Sequence, residues 1–161
     1  MSSAAVLLAD ELVEALQAAT WSGVPYTARR TFFDCRDEQM ADGLPDVDVA
    51  ILVPDGYESV ELETRGSIER RVVVDVVIRK RFATTDAEDS TGEIQQQLLA
   101  ELADLSETLS KAAVTAGMTG LGGGLFVPPL EHDPLYRRDH LRTLRQFTSV
   151  FSLTFDIPSE L

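Results

Sequence analysis

The chain contains few cysteine, histidine and basic residues. A single cysteine, Cys35, excludes an intrachain disulfide and fits a reducing compartment. Lysine and arginine together number 14, against 27 aspartates and glutamates, so the net charge is −13. Proteins that hold nucleic acid without regard to sequence do so with clustered Lys and Arg, because these neutralise phosphates. We therefore expect no sequence-independent binding of DNA or RNA.

Long hydrophobic runs are also missing. No apolar stretch approaches the roughly 20 residues that a membrane-spanning helix needs, so we expect no membrane partner. Met1–Leu8 has no basic residue and is followed by Asp10 and Glu11, which is not the pattern of a secretory signal. Hydrophobic residues make up 44% of the 161-residue chain and charged residues 25%, as in globular proteins. These values predict a single domain covering residues 1–161.

Alternating apolar and polar residues predict the strands. The clearest alternation runs from Phe147 to Ile157 and is typical of a half-buried β-strand. Asp46–Pro54 shows the same pattern, and β-branched and aromatic residues favour a strand at Tyr26–Asp34. The longest run, Ile68–Phe82, is apolar on both faces at its centre, so we expect it to lie in the middle of a sheet and to be covered on both sides. Asp75 interrupts that run and should have a partner, because an unpaired buried carboxylate is costly.

Apolar residues at helical spacing predict two helices, one at Ser3–Ala18 and one that follows the capping-box pair Ser90 and Glu93 and ends near Ala116. The predicted order is α-β-β-β-α-β, with a single helical turn expected within Pro134–Leu141 before the last strand. We therefore expect an α+β fold, with a mostly antiparallel sheet of four to six strands and the two helices packed on one face. The apolar stripe of the second helix should face Phe147, Phe151 and Phe155; it consists of Ile94, Leu98, Leu102, Leu105 and Leu109.

Three features invite a chemical interpretation, and each has a simpler one. The glycine-rich stretch Gly120–Leu125 follows a predicted helix and lacks the Lys-Ser/Thr of a phosphate loop, so we interpret it as a flexible connector. Glu131-His132-Asp133 with His140 has no second cluster that would complete a metal site. Cys35 beside Arg36 has no nearby histidine in sequence to act as a base. We predict no catalytic residue, metal or cofactor, and expect that the chain is not an enzyme.

Charge is unevenly distributed along the chain. Between Asp34 and Glu63 there are ten acidic residues and one basic residue, Arg36. Basic residues gather at 65–81 and 137–145. These charges either pair within one sheet or form a head-to-tail contact between subunits that is acidic on one side and basic on the other. The candidate interface residues are Asp37, Glu38, Glu61, Glu63, Arg70, Arg71, Arg79, Arg81, Arg137 and Arg138.

Several segments resemble the tail-terminator (minor tail protein U-like) and related neck proteins of long-tailed bacteriophages. The segments are Val47–Pro54, Thr64–Ser67, Val74–Arg81 and, most strongly, Leu144–Val150 leading into the last strand. The order of helices and strands resembles that family as well. The resemblance covers most of the chain from Phe33 to Ile157.

The resemblance implies a non-enzymatic virion protein that is made in the host cytoplasm. Such a protein forms a ring, usually a hexamer, that caps the tail tube, ends its polymerisation and joins the tail to the head connector or stopper protein. Genomic DNA passes through the ring without sequence-specific binding. The alternatives are another neck component, such as a head-completion or connector-adaptor protein, and, from a different class, a small cytosolic enzyme.

Overall fold

The computed structural model describes residues 3–41, 46–61, 67–82, 93–132 and 135–160. Within these residues the fold is α+β, with a mixed sheet of six strands and three helices. Five strands lie side by side in the order β1-β2-β4-β6-β5, and β3 pairs with β4. In chain order the elements are α1 (Ala4–Gln17), β1 (Tyr26–Thr31), β2 (Val47–Leu52), β3 (Glu58–Glu61), β4 (Ser67–Arg81), α2 (Glu93–Thr119), β5 (Leu125–His132), α3 (Arg138–Thr143) and β6 (Gln146–Glu160).

The α+β class and the predicted number of strands are confirmed, and the predicted number of helices is wrong. The sheet is mostly antiparallel, as predicted, and it is mixed because β1 runs parallel to β2. A third helix, α3, precedes β6, so two helices do not account for the described residues. The predicted central position is correct, because β4 lies between β2 and β6 and pairs with β6 along its whole length. Its predicted cover on both faces is incomplete, because Val73 is 50% exposed.

One face of the sheet forms the main core with α1 and α2. Leu8, Leu12 and Leu16 of α1 are fully buried in the same cluster as the leucines of α2 and the aromatic residues of β6. Leu102, Leu105 and Leu109 pack in this cluster with Phe147, Phe151 and Phe155, as predicted, and Leu98 packs at its margin. The side chain of Ile94 lies outside the described residues, as does Ser90.

Polar side chains cap α1 and the neighbouring edge of the sheet. The Ser3 hydroxyl accepts a hydrogen bond from the Val6 amide, which caps the N-terminus of α1. At the other end of α1, the Gln17 side chain accepts from the Ala28 amide at 2.8 Å and donates to the Tyr26 carbonyl at 3.3 Å. Gln17 therefore occupies backbone groups on the outer edge of β1. No helix in the described part of the chain is both long and apolar enough to cross a membrane.

The glycine-rich stretch connects α2 to β5 and packs against α1. The Leu121 and Gly124 backbones bond to each other in both directions, at 3.0 and 2.7 Å, which closes a tight turn. Gly122 has φ +57°, and a Cβ there would lie 2.8 Å from Leu8 Cα. The Gly122 amide also donates to the Glu11 carboxylate. The segment is thus a connector, as predicted, and it is anchored on α1.

Candidate interaction surfaces

Half of the sheet face opposite the helices is covered by residues 34–41. Cys35 and Met40 are buried there, and Cys35 packs in a small apolar cluster with β2, β4 and β6 residues. The Arg81 guanidinium donates to the Met40 carbonyl at 2.7 Å, and the Met40 amide donates to Gln146 Oε1 at 2.8 Å. Burial raises the pKa of the Cys35 thiol. A buried thiol with a raised pKa is a poor source of the thiolate, which is the nucleophilic form of cysteine.

Asp48 of β2 joins two arginines beneath this covering segment. Its carboxylate accepts from Arg79 Nη2 at 2.7 Å and from Arg29 Nε at 2.7 Å. Burial alone would raise the pKa of Asp48, but the hydrogen bonds from Arg29 and Arg79 outweigh it and hold this pKa below its ordinary value. Arg79, only 7% exposed, also donates to the carbonyls of Cys35 and Glu38. Arg79 was a candidate interface residue, and its position corrects that assignment, because its charge is used inside the subunit.

Other candidate interface charges also pair within the chain. Arg71 Nε on β4 donates to Asp156 Oδ1 on β6 at 2.8 Å, across the antiparallel pair. Arg137 donates to the carboxylate of Asp37, although the two residues are 100 positions apart. These contacts favour the first of the two interpretations of the charge pattern, in which the charges pair inside one subunit.

The remaining candidate interface residues differ in exposure. Arg70 stacks on the ring of Tyr57, with its guanidinium carbon 4.8 Å from the ring centroid. Arg138 is exposed, and its guanidinium lies over the Tyr136 ring at 5.9 Å. Glu38 is exposed on the covering segment. Glu63 and the side chain of Glu61 lie outside the described residues.

No described segment covers the other half of the face opposite the helices, and we call it the open half-face. It consists of Val73, Leu125, Val127 and Thr154. The register places Val73 and Val127 on either side of Thr154, and Leu125 lies one row away beside Asp156. Val73 is 50% exposed and Leu125 57% exposed. Exposed apolar residues that adjoin one another on a sheet are typical of a surface that binds a partner.

An aromatic pair stands at one margin of the open half-face. Phe32 and Phe33, which we call the aromatic knob, follow the last residue of β1 and are 66% and 81% exposed. Beside Phe32 is a hollow of about 150 Å³ that also contacts Val73 of the open half-face. Its charged residues are Asp34, Arg36, Asp55 and Asp75. Asp75 accepts from Arg36 Nη1 at 3.1 Å and from the Ser152 hydroxyl, so its predicted partner is confirmed.

A larger groove lies between α2 and α3, on the helix side of the sheet. We call it the helix groove; its volume is about 480 Å³. The rings of Tyr136 and Phe147 stack in it with centroids 6.3 Å apart. Two exposed arginines, Arg138 and Arg142, line it as well. The other lining residues are Gln96, Leu99, Ala100, Ala103 and Leu141.

The two histidines occupy different elements and have different partners. His132 on β5 packs against the Phe151 ring at 5.7 Å. His140 on α3 is buried, with Nδ1 2.8 Å from the Thr148 hydroxyl, and burial and the nearby Arg137 lower its pKa. Asp133, the third member of the sequence cluster, lies outside the described residues. Among the residues that the structure describes, no three His, Cys, Asp or Glu side chains are grouped as metal ligands.

Sequence reasoning missed the aromatic knob because it extended the first strand to Asp34. Strand β1 ends at Thr31, so Phe32 and Phe33 lie beyond the ladder. Successive strand residues point to opposite faces, and two adjacent phenylalanines cannot both enter one core. That pair was the signal in the sequence. The helix groove had no comparable signal, because its lining comes from α2, α3 and the start of β6.

The interaction surfaces are the covered and open halves of the sheet face, the aromatic knob and the helix groove. No protein-family model matches this chain, and no curated protein matches it significantly in sequence.

Proposed function

We propose that this chain is a structural protein of the neck of a long-tailed bacteriophage. In this proposal it forms a ring, a hexamer, that caps the tail tube, ends tube polymerisation and joins the tail to the head connector. The observation that carries the proposal is the open half-face with the adjoining aromatic knob. Val73, Leu125, Phe32 and Phe33 present apolar surface that a subunit of an assembly would bury.

The resembling segments support the same proposal by their position. Val47–Pro54 covers β2, Val74–Arg81 forms the second half of β4, and Leu144–Val150 leads into β6. These three strands are neighbours in the sheet. Of the fourth segment, Thr64–Ser67, only Ser67 belongs to the described residues. The resemblance thus falls on one contiguous part of the fold.

Net charge supports a ring through which DNA passes without being held. Six copies of a chain with net charge −13 would carry about −78 before counterions bind. A wall with that excess of negative charge repels phosphates, so it would not retain the DNA. Such a channel would let DNA pass through the ring without binding it.

The proposal is tested by the mass and shape of the purified protein. We expect mass photometry to give one closed oligomer, and negative-stain images to show rings about as wide as a phage tail tube. Rings added to polymerising tail-tube protein should shorten the tubes in proportion to the ring concentration. Single copies at all concentrations would contradict the proposal. Rings that bind a connector and leave tube length unchanged would favour the alternative neck component.

A further inference from the structure

We infer that the ring contact is formed when the aromatic knob of one copy inserts into the helix groove of the next copy. This inference rests on the proposed ring function and specifies which two surfaces meet. Phe32 and Phe33 would supply the inserted side chains, and Leu99, Ala103 and Tyr136 would receive them. Because the two surfaces are different, the contact is heterologous and repeats from copy to copy.

The aromatic knob has the composition and the support of an interface anchor. Aromatic residues dominate interface energetics, because each buries about 150–250 Å² with few rotatable bonds. The Phe33 amide donates to the Thr31 hydroxyl at 3.1 Å, which fixes the turn at the end of β1. The guanidinium of Arg30 lies 5.7 Å from the centroid of the Phe32 ring. The exposed Phe33 side chain is therefore held by its own amide, which bonds to Thr31, and by the neighbouring Phe32 ring, which contacts Arg30.

The helix groove matches the aromatic knob in size and chemistry. Its volume of about 480 Å³ falls within the range of roughly 300–1,000 Å³ that holds small organic ligands, which is the scale of two phenyl rings. Tyr136 offers an aromatic ring that stacks on the buried Phe147, and Leu99, Ala100 and Ala103 offer aliphatic contact. The small side chains of the two alanines leave room for an incoming ring.

Charge around the two surfaces is complementary. The hollow beside Phe32 is lined by three carboxylates and one guanidinium, an excess of two negative charges. The helix groove is lined by Arg138 and Arg142 and by no carboxylate among its described lining residues. Insertion of the aromatic knob would bring the acidic hollow toward these two arginines. Complementary charge of this kind orients partners and disfavours a groove-to-groove approach, in which arginine would face arginine.

The positions of the two surfaces require a second copy. The hollow beside Phe32 borders Asp75, whereas Phe147 in the helix groove pairs with Lys80. Five residues along a strand span about 17 Å. Asp75 also lies on the face opposite the helices, and the helix groove lies on the helix side. A copy therefore does not fill its own groove, and the contact repeats from copy to copy, which gives a ring when the rotation per copy closes.

The test compares variants that damage one surface each. The double variant Phe32→Ala, Phe33→Ala lacks the aromatic knob and keeps the groove, and Ala103→Arg obstructs the groove and keeps the knob. Each should raise the dissociation constant of the ring contact by about 30-fold or more, as loss of an interface hot spot does. Met118→Ala removes an equally exposed apolar side chain, 72% exposed at the end of α2, and should leave the rings unchanged.

Mixing the two damaged proteins gives the decisive result. Each mixed pair retains one intact contact, between the knob of the Ala103→Arg protein and the groove of the double variant. We expect heterodimers in the mixture, no rings, and single copies of either protein alone. Phe33→Cys combined with Ala103→Cys in one chain, in a Cys35→Ala background, should give disulfide-linked ladders under oxidation, which tests the contact without obstructing it.

Other results would overturn the inference in distinguishable ways. If the unaltered protein forms rings and the double variant forms them equally well, the knob-and-groove contact is wrong and the ring function stands. If the mixture contains only single copies and the cysteine pair gives no ladder, the contact is again wrong. If the unaltered protein is a single copy at every concentration, the proposed function itself fails. Thermal melts of each variant establish that the compared proteins are folded.

Discussion

The Asp48 carboxylate pairs with two arginines inside the subunit. Its carboxylate serves both Arg29 and Arg79, and its side chain is 12% exposed. Removing one member of a buried ion pair is costly, because the remaining charge loses its partner while it stays away from water. Arg79 would be that remaining charge.

We predict that Asp48→Ala lowers the free energy of unfolding by about 3–5 kcal/mol. Urea unfolding followed by circular dichroism measures the loss. The matched control is Asp10→Ala, which removes the partner of Arg30 in an ion pair that is exposed on both sides. Exposed pairs contribute about 0–1 kcal/mol, so the control should change little. Equal effects of the two substitutions would show that Arg79 does not depend on Asp48.

The lowered pKa of Asp48 also predicts how stability depends on pH. In the unfolded chain this carboxyl has an ordinary pKa of about 4, so the unfolded state binds a proton at higher pH than the folded state does. Its contribution is therefore complete above about pH 4 and is lost as the pH falls through the lower folded pKa. Urea titrations between pH 6 and 2.5 should show a steeper loss for the unaltered protein than for Asp48→Asn. If the free energies of unfolding of the two proteins fell equally with pH, the lowered pKa would not belong to Asp48.

The charge pattern shows what sequence cannot supply at the scale of residues. Asp37 and Arg137 were both assigned to an interface because acids and bases are segregated along the chain. In the fold the two residues contact each other. Segregation in sequence says nothing about distance in space, because the sheet brings segments 100 positions apart into contact. The need of Asp75 for a partner was predictable, since it follows from burial alone.

At the scale of elements, the stripe of α2 should determine much of the stability. Leu102 of α2 is fully buried in the core cluster that contains the phenylalanines of β6. Leu102→Ala should therefore lower the free energy of unfolding by about 2–5 kcal/mol. Leu7→Ala in α1 is the control, because Leu7 is 42% exposed and its truncation should cost less than about 1 kcal/mol. Urea unfolding measures both. A loss below about 0.5 kcal/mol for Leu102→Ala would mean that α2 does not hold the sheet.

The turn after α2 predicts a sharp difference between two glycines. Gly122 has positive φ, and a Cβ there would meet the Leu8 backbone at 2.8 Å. Gly122→Ala should therefore cost about 2–4 kcal/mol, from the left-handed backbone and from overpacking. Gly56→Ala should change stability by less than about 0.5 kcal/mol, because nothing lies within 4 Å of a Cβ at that position. Thermal melts of both variants test this difference.

Most elements could be predicted because their burial imposes a period. Strand β2 and helix α1 were located within two residues of their observed ends, since one face of each meets the core. The spacing of apolar residues does not indicate the direction of a strand, so the parallel pairing of β1 with β2 could not be predicted. Helix α3 has only six residues, fewer than two turns, so the sequence indicated one helical turn within Pro134–Leu141 and shows no repeat that would locate the helix at Arg138–Thr143.

At the scale of the whole molecule, two adjacent arginines should separate assembly from folding. Arg138 lines the helix groove, whereas Arg137 pairs with Asp37 in the same chain. We predict that Arg138→Glu weakens ring formation and leaves the melting temperature unchanged. Arg137→Glu should lower the melting temperature modestly, because it faces Asp37 with a like charge. Mass photometry measures ring formation of both variants, and thermal melts measure their stability. If Arg138→Glu lowered the melting temperature and left ring formation unchanged, Arg138 would not be an interface residue.

The surfaces of the whole molecule were the least predictable part. The aromatic knob lies in one short segment, but its exposure depends on where β1 ends. The helix groove draws on residues from Gln96 to Phe147, which only the packing of α2 against β6 and α3 brings together. The spacing of apolar residues indicates which residues of one element are buried. It does not indicate where two packed elements leave a groove between them.

The strands at the two ends of the sheet, β1 and β5, have a consequence for unwanted fibrils. Exposed strand edges allow further strands to add by backbone pairing, and such growth has no natural end. Gln17 occupies the edge of β1 at Tyr26 and Ala28, and β5 contains Pro128 and Pro129, which have no amide hydrogen to donate. Both features disfavour the addition of a further strand at these positions. A chain proposed to end the polymerisation of a tail tube is thus itself protected, at β1 and β5, from open-ended strand addition.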